Sequence, residues 1–198
     1  MNVERVRAAY GSVRAEVGPR VTVVAATKYV SIEDMPLVAE AGIEVVGENR
    51  AQDLERKHAA YADAFRWHFI GHLQSNKAKL VGELCELVHS VDSDSAARRL
   101  GVPMLLEVNL TGEPSKSGVA PHEVAAYVAR YPAICGLMTM PPLAPDAEAS
   151  RPWFRQLREL AAETGLEQLS MGTSQDWRIA VEEGATLIRL GATLFGDH

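Results

Sequence analysis

Apolar positions along this chain switch period many times. Val3, Val6, Tyr10, Val13 and Val17 recur at alternating steps of three and four, the spacing of one face of an amphipathic helix over 3–17. The run VTVVAAT at 21–27 is almost continuously apolar and rich in β-branched residues, as expected for a strand covered on both faces. SIEDMPLVAEAG at 31–42 then reads as a helix, with Ser31 as N-cap, Pro36 near the first turn and Gly42 as the stop. Further strands are expected at 44–48, 67–71, 87–92, 103–110, 134–140, 167–172 and 186–196. Helices are expected between them at 50–62, 76–84, 93–101, 122–131, 151–165 and 176–184. An unbroken β–α alternation argues for parallel pairing, and eight such units suggest an α/β fold of the closed (β/α)8, or TIM-barrel, type.

The chain has 198 residues, just under the usual lower size of that barrel, roughly 200. The expectation is a shortened barrel spanning 1–198 as one domain. The sequence ends in GDH directly after the eighth strand, so no eighth crossover helix is expected, and the helix at 3–17 fills its place. Apolar residues make up 47% and charged residues 23%, ordinary globular usage that excludes a disordered chain. The net charge of −6 gives no support for nucleic-acid binding. No run approaches membrane-spanning length, and the charged N-terminus carries no secretory core. Cys85 and Cys135 show no metal-ligand spacing, so two buried core thiols, no metal site and a reduced cytoplasmic setting are expected.

In such barrels the chemistry sits just past the C-terminal end of each strand. Lysines are scarce, five against fifteen arginines, and Lys28 alone directly follows an apolar strand. An ammonium partly desolvated at the barrel mouth can lose its proton and attack an aldehyde. The same position also suits a solvated strand-end lysine. Glu48 and Asn49 follow strand two, where either could cap the next helix and Asn49 could meet a ligand. His72, Gln74 and Asn76 follow strand three, with Ser75 or Asn76 as a cap. Residues 109–118 are small and polar, suiting a ligand-facing loop or a lid. Met171-Gly172-Thr173-Ser174 and Arg189-Leu190-Gly191-Ala192 close the last two strands. Small hydroxyl residues and glycine there offer N–H and O–H donors to an anion, and these are the loops where phosphate commonly sits. A lysine and an anion cradle on neighbouring strands fit a Schiff-base aldolase acting on a phosphorylated sugar, or pyridoxal 5′-phosphate. The lack of an evident Asp or Glu on the interior strands leans toward the cofactor.

Several segments, in order, resemble the YggS/PROSC family of pyridoxal phosphate homeostasis proteins, related to the N-terminal barrel of alanine racemase. They are ATKYV (26–30), GENRAQDLERK (47–57), WHFIGHLQSNK (67–77), VHSVDS (88–93), EVNLTGEPSKSG (107–118), GLMTM (136–140), LSMGTSQDW (169–177) and IRLGATLFG (188–196). The resemblance implies a barrel that holds pyridoxal 5′-phosphate as a covalent imine on Lys28. It implies phosphate contacts from Thr173 or Ser174 and from Gly191 and Ala192, with Arg189 beside the pyridine nitrogen. Asn49, His72 and Met171 or its neighbours would line the pocket. An arginine at that nitrogen is always charged and disfavours ring protonation, leaving a weaker electron sink.

Two-base racemisation needs an acid/base group on each face of the substrate. In alanine racemase the second comes largely from a further domain and the dimer partner, and no such domain is expected here. The reading favoured is therefore a monomeric carrier that holds the cofactor and delivers it to apo-enzymes in transient contacts; a low-activity racemase and a cofactor-free phosphate-binding barrel are the alternatives. The sequence departs from the family in three places. The fourth crossover, SDSAARRLG, is short. Thr173 stands where methionine is common, which adds a hydroxyl. No extra terminal helix is expected after Gly196.

Overall fold

α1 (Val3–Val17) forms where the three–four spacing predicts it. The Asn2 side chain caps it by accepting from the Arg5 N–H at 3.0 Å, and Val6 and Val13 are buried on its inner face. The structure is a computed structural model that describes residues 1–196; Asp197 and His198 lie outside the described residues. Eight strands follow among these: β1 (Thr22–Ala26), β2 (Val45–Glu48), β3 (Arg66–Phe69), β4 (Leu87–Val91), β5 (Met104–Glu107), β6 (Ile134–Met138), β7 (Gln168–Thr173) and β8 (Leu187–Leu190). Each pairs in parallel with the next, and β8 returns to β1, so the sheet is a closed barrel in sequence order. The crossovers carry α2 (Met35–Glu40), α3 (Ala51–Tyr61), α4 (Ala78–Leu84), α5 (Asp94–Ala97), α6 (Val124–Arg130), α7 (Arg151–Thr164) and α8 (Trp177–Glu182). The expected (β/α)8 architecture with a leading helix is the observed one.

Alternation along each strand divides the core in two. Val24, Val45, Leu87, Leu105, Met138 and Leu187 cluster inside the barrel. Their neighbours Val23, Val46, Val88, Leu106, Leu137 and Ile188 face the helices in the larger outer cluster. Close approaches demand glycine in places. A Cβ on Gly172 (φ +90°) would lie 2.6 Å from that of Ala180 on α8, so glycine alone lets α8 sit this close to β7.

Several boundaries differ from expectation, two of them near the cavity. Ser31 does not cap α2; residues 31–34 form a turn in which the Asp34 N–H meets Ser31 Oγ at 3.1 Å, and α2 starts at Met35. The expected strand at 186–196 stops at Leu190. Gly191 turns the chain, its carbonyl accepts from the Leu194 and Phe195 N–H groups, and α9 (Ala192–Phe195) follows and packs on α1. An eighth helical segment therefore exists, and α1 covers it rather than replacing it. α5 is indeed short, and Arg130 and Tyr131 reach over from the end of α6 to Asp94.

Candidate functional site

At the C-terminal end of the strands lies a cavity of about 580 Å³, within the usual range for small-ligand sites, roughly 300–1,000 Å³. Lys28, Asn49, Thr173, Ser174, Arg189, Gly191 and Ala192 all line it, and Tyr29, Ile70, Met140 and Leu143 add an apolar side. The expected residues thus converge from β1, β2, β7 and β8.

Lys28 follows β1 and is exposed, with Nζ 4.7 Å from the ring centre of Tyr29. Of the two readings of Lys28, the solvated strand-end lysine is the one that this exposure fits, at the edge of the cavity. The backbone just before it is held firmly. The Thr27 carbonyl accepts from Lys57 Nζ at 2.7 Å, and Thr27 Oγ1 donates to Glu48 Oε1 at 2.6 Å. Lys57 also pairs with Glu48 at 2.6 Å, both side chains being buried between β2 and α3. Glu48 therefore caps nothing: alternation turns it toward the helix layer and turns Asn49 toward the cavity. α3 begins after Arg50 without a side-chain cap, and α4 after Lys77 likewise, so Asn49, Ser75 and Asn76 are not caps either. Lys57 escaped the sequence reading, although it shares the inner face of α3 with Leu54, where an apolar residue belongs.

The opposite wall is built from backbone. Ser174 Oγ accepts from the Gly191 N–H at 3.2 Å and the Thr193 N–H at 3.0 Å, tying the loop after β7 to the start of α9. Asp176 shapes that loop by accepting from the Thr173 N–H at 2.8 Å and from Ser150 Oγ at 2.7 Å. It also takes the Thr173 hydroxyl at 3.2 Å, so the extra donor expected at Thr173 points into the turn.

Arg189 forms part of the cavity floor and is 5% exposed. It donates to Ser170 Oγ, to the Thr139 carbonyl at 3.1 Å and to the Met140 sulfur, all uncharged acceptors. Burial pulls its pKa down to about 10, which leaves it protonated near neutral pH. Asn49 Oδ1 is buried with no hydrogen-bond partner, an open acceptor in the cavity wall.

Two expected lining residues lie elsewhere. Met171 is fully buried in the outer core, since on β7 Ser170 faces inward and its neighbour must face the helices. His72 is exposed in an adjacent groove of about 230 Å³, beside Arg50 and Lys77, with Nδ1 3.7 Å from Asp92. Residues 109–118 fold on themselves, Asn109 bridging Thr111, Gly112, Glu113 and Lys116, and edge a separate hollow. The interior strands do carry acids. Besides Glu48, Glu107 on β5 is buried, accepts from Ser117 Oγ at 2.5 Å and is shifted upward by desolvation. Cys85 is buried and Cys135 half-buried, both free. Among the described residues no group of three or more potential ligands could hold a metal, and no helix is long and apolar enough to cross a membrane.

Residues 1–198 match the model of the alanine racemase N-terminal domain family. The chain belongs to this family. Within it, the chain is 39% identical to the pyridoxal phosphate homeostasis protein of Aquifex aeolicus over 194 residues, covering 87% of this chain and 85% of that one. It is 34% identical to the protein of that name from Vibrio cholerae, covering 100% of this chain and 95% of the relative. That alignment spans 224 positions, more than the chain's length, so the relative carries residues absent here. The solved structure of PipY from Synechococcus elongatus with PLP bound superposes with a TM-score of 0.89 at 34% identity, over 96% of this chain and 100% of that one. The chain is thus a member of the pyridoxal phosphate homeostasis protein family with the alanine racemase barrel.

Proposed function

We propose that this chain binds pyridoxal 5′-phosphate in the cavity, with Lys28 supplying the amine for a covalent imine, and that it serves to store and deliver the cofactor inside the cell. The observation that carries this reading is the convergence of three unlike groups on one cavity. Lys28 offers a primary amine, the Ser174 hydroxyl, whose oxygen accepts from the Gly191 and Thr193 amides, offers its proton to a phosphate, and Arg189 offers a cation for a ring nitrogen. The unpartnered Asn49 Oδ1 supports the fit, because a ligand donor would satisfy it.

Bound there, the group would supply a reactive aldehyde and an electron-withdrawing ring. This chain's residues would do the rest. Ser174, held in place by the two amides, would fix one end, and Arg189 would hold its charge against the ring nitrogen and oppose ring protonation. Thr27, gripped by Lys57, would keep Lys28 at the rim. Because the amine is exposed, an incoming amine could reach the linkage, which suits exchange and hand-over to apo-enzymes. The chain acts as a monomer in this reading.

Titration with pyridoxal 5′-phosphate, followed by absorbance, tests it. The chain is expected to saturate at one equivalent with an imine band that Lys28→Ala abolishes. A chain that stays colourless would overturn the reading.

A further inference from the structure

Below Arg189 the barrel interior holds a file of polar side chains that the cofactor reading does not use. Ser170 on β7, His89 on β4 and His68 on β3 all point inward, and each is 3% exposed or less. Arg189 Nη1 meets Ser170 Oγ, Ser170 Oγ lies 2.7 Å from His89 Nδ1, and His89 Nε2 lies 3.0 Å from His68 Nδ1. His68 borders a groove at the opposite mouth of the barrel, together with Arg66, Glu86 and Gln168. The file crosses the barrel from end to end.

We propose that Ser170, His89 and His68 form one proton-ordered file that positions the Arg189 guanidinium toward the cavity and helps compensate its burial without a carboxylate in hydrogen-bond contact. Hydrogen accounting sets the order. A guanidinium only donates, so Ser170 Oγ must accept from it. If His89 also donated to Ser170, the serine proton would face no acceptor in a fully buried site, which is costly. Ser170 therefore donates to His89 Nδ1. A neutral His89 then carries its proton on Nε2 and donates to His68 Nδ1. His68 in turn holds its proton on Nε2, toward the groove. Desolvation keeps both imidazoles neutral at pH 7, lowering His68 to about 4 and His89 well below its ordinary value.

Every lone pair in this file faces Arg189. The three dipoles align with their negative ends toward the cation and replace part of its lost hydration. A carboxylate in contact would instead cancel the charge. Glu107 and Asp176 favour the charged arginine through space, yet their hydrogen bonds go to Ser117 and to Thr173 and Ser150. The file is a property of the chain alone; only what the guanidinium meets in the cavity rests on the cofactor reading.

The test uses the full chain without cofactor and ¹⁵N NMR of its histidine and arginine side chains. Both His68 and His89 are expected as neutral Nε2–H tautomers that do not titrate between about pH 6 and 8. Guanidinium protons of Arg189 are expected to exchange about tenfold faster in Ser170→Ala and in His89→Phe, a factor worth roughly 1.4 kcal/mol. Ser170→Thr, which keeps the hydroxyl, is expected to retain the slow exchange. An Nδ1–H tautomer at His89 would overturn the proposal, and so would unchanged Arg189 exchange in a folded Ser170→Ala protein. The tautomers are read in the unsubstituted chain, so the test stands even if a variant fails to fold.

Discussion

Lys57, between α3 and the sheet, and Arg189, inside the barrel, are both 5% exposed, yet the fold surrounds them differently. Lys57 has a carboxylate at 2.6 Å and never reaches the cavity; it acts through the carbonyl of Thr27. Arg189 has only hydroxyl, carbonyl and thioether contacts and opens onto the cavity. A cation used as a brace is neutralised where it stands. The cation that opens onto the cavity has no carboxylate among its hydrogen-bond partners, so its charge is not neutralised where it stands. The two walls differ in the same sense. The β1–β2 side is fixed by a buried ion pair, whereas the β7–β8 side is fixed by backbone amides meeting one serine.

The largest expected effect comes from breaking the brace. Lys57→Ala leaves Glu48 buried and unpaired, and should cost about 3–5 kcal/mol of stability in urea unfolding. Lys57→Met combined with Glu48→Leu should recover most of it, since a buried pair replaced by apolar groups is often neutral. Equal losses in the single and double variants would show that packing, not charge, holds this wall.

A second effect separates the neutral file from the ion pair by pH. Unfolded imidazoles take protons below about 6.5, whereas His68, buried and near Arg66, resists until about 4. His89 and the groove residues Arg20 and Glu86 surround it from the other elements. The unfolded state thus binds more protons between those values. Stability should be full above pH 6.5 and fall toward pH 4, by up to about 1.4 kcal/mol per pH unit for one group. His68→Gln should flatten the slope between pH 6.5 and 5; an unchanged slope would remove His68 from the account.

The smallest effect belongs to the backbone wall. Ser174→Ala removes the shared acceptor of two amides and should cost about 1 kcal/mol, while weakening retention of pyridoxal 5′-phosphate. A full loss of stability would mean that Ser174 is structural.

The strand order and the closed barrel were legible in the sequence, because period carries that information, and seven of the nine residues named for the site stand around one cavity. Two of the misses share a cause. Adjacent residues at a strand end point to opposite faces, so Glu48 and Asn49 part company, and Ser170 rather than Met171 enters the barrel. His72 lies one residue beyond the turn at Gly71, and the chain has already left the mouth. The run after Gly191 looks extended, since Thr193, Leu194 and Phe195 suit strands. Tertiary packing of Leu194 near α1 decides for a short helix instead. Lys57 carries no local signal of burial except its place on the inner face of α3.

The central claim is that Lys28, and no other lysine, bonds the cofactor. Mixing the chain with one equivalent of pyridoxal 5′-phosphate, reducing with borohydride and mapping the modified peptide by mass spectrometry tests this directly. The account predicts the reduced adduct on Lys28 alone. An adduct mainly on Lys57, Lys77, Lys79 or Lys116, or none, would contradict it.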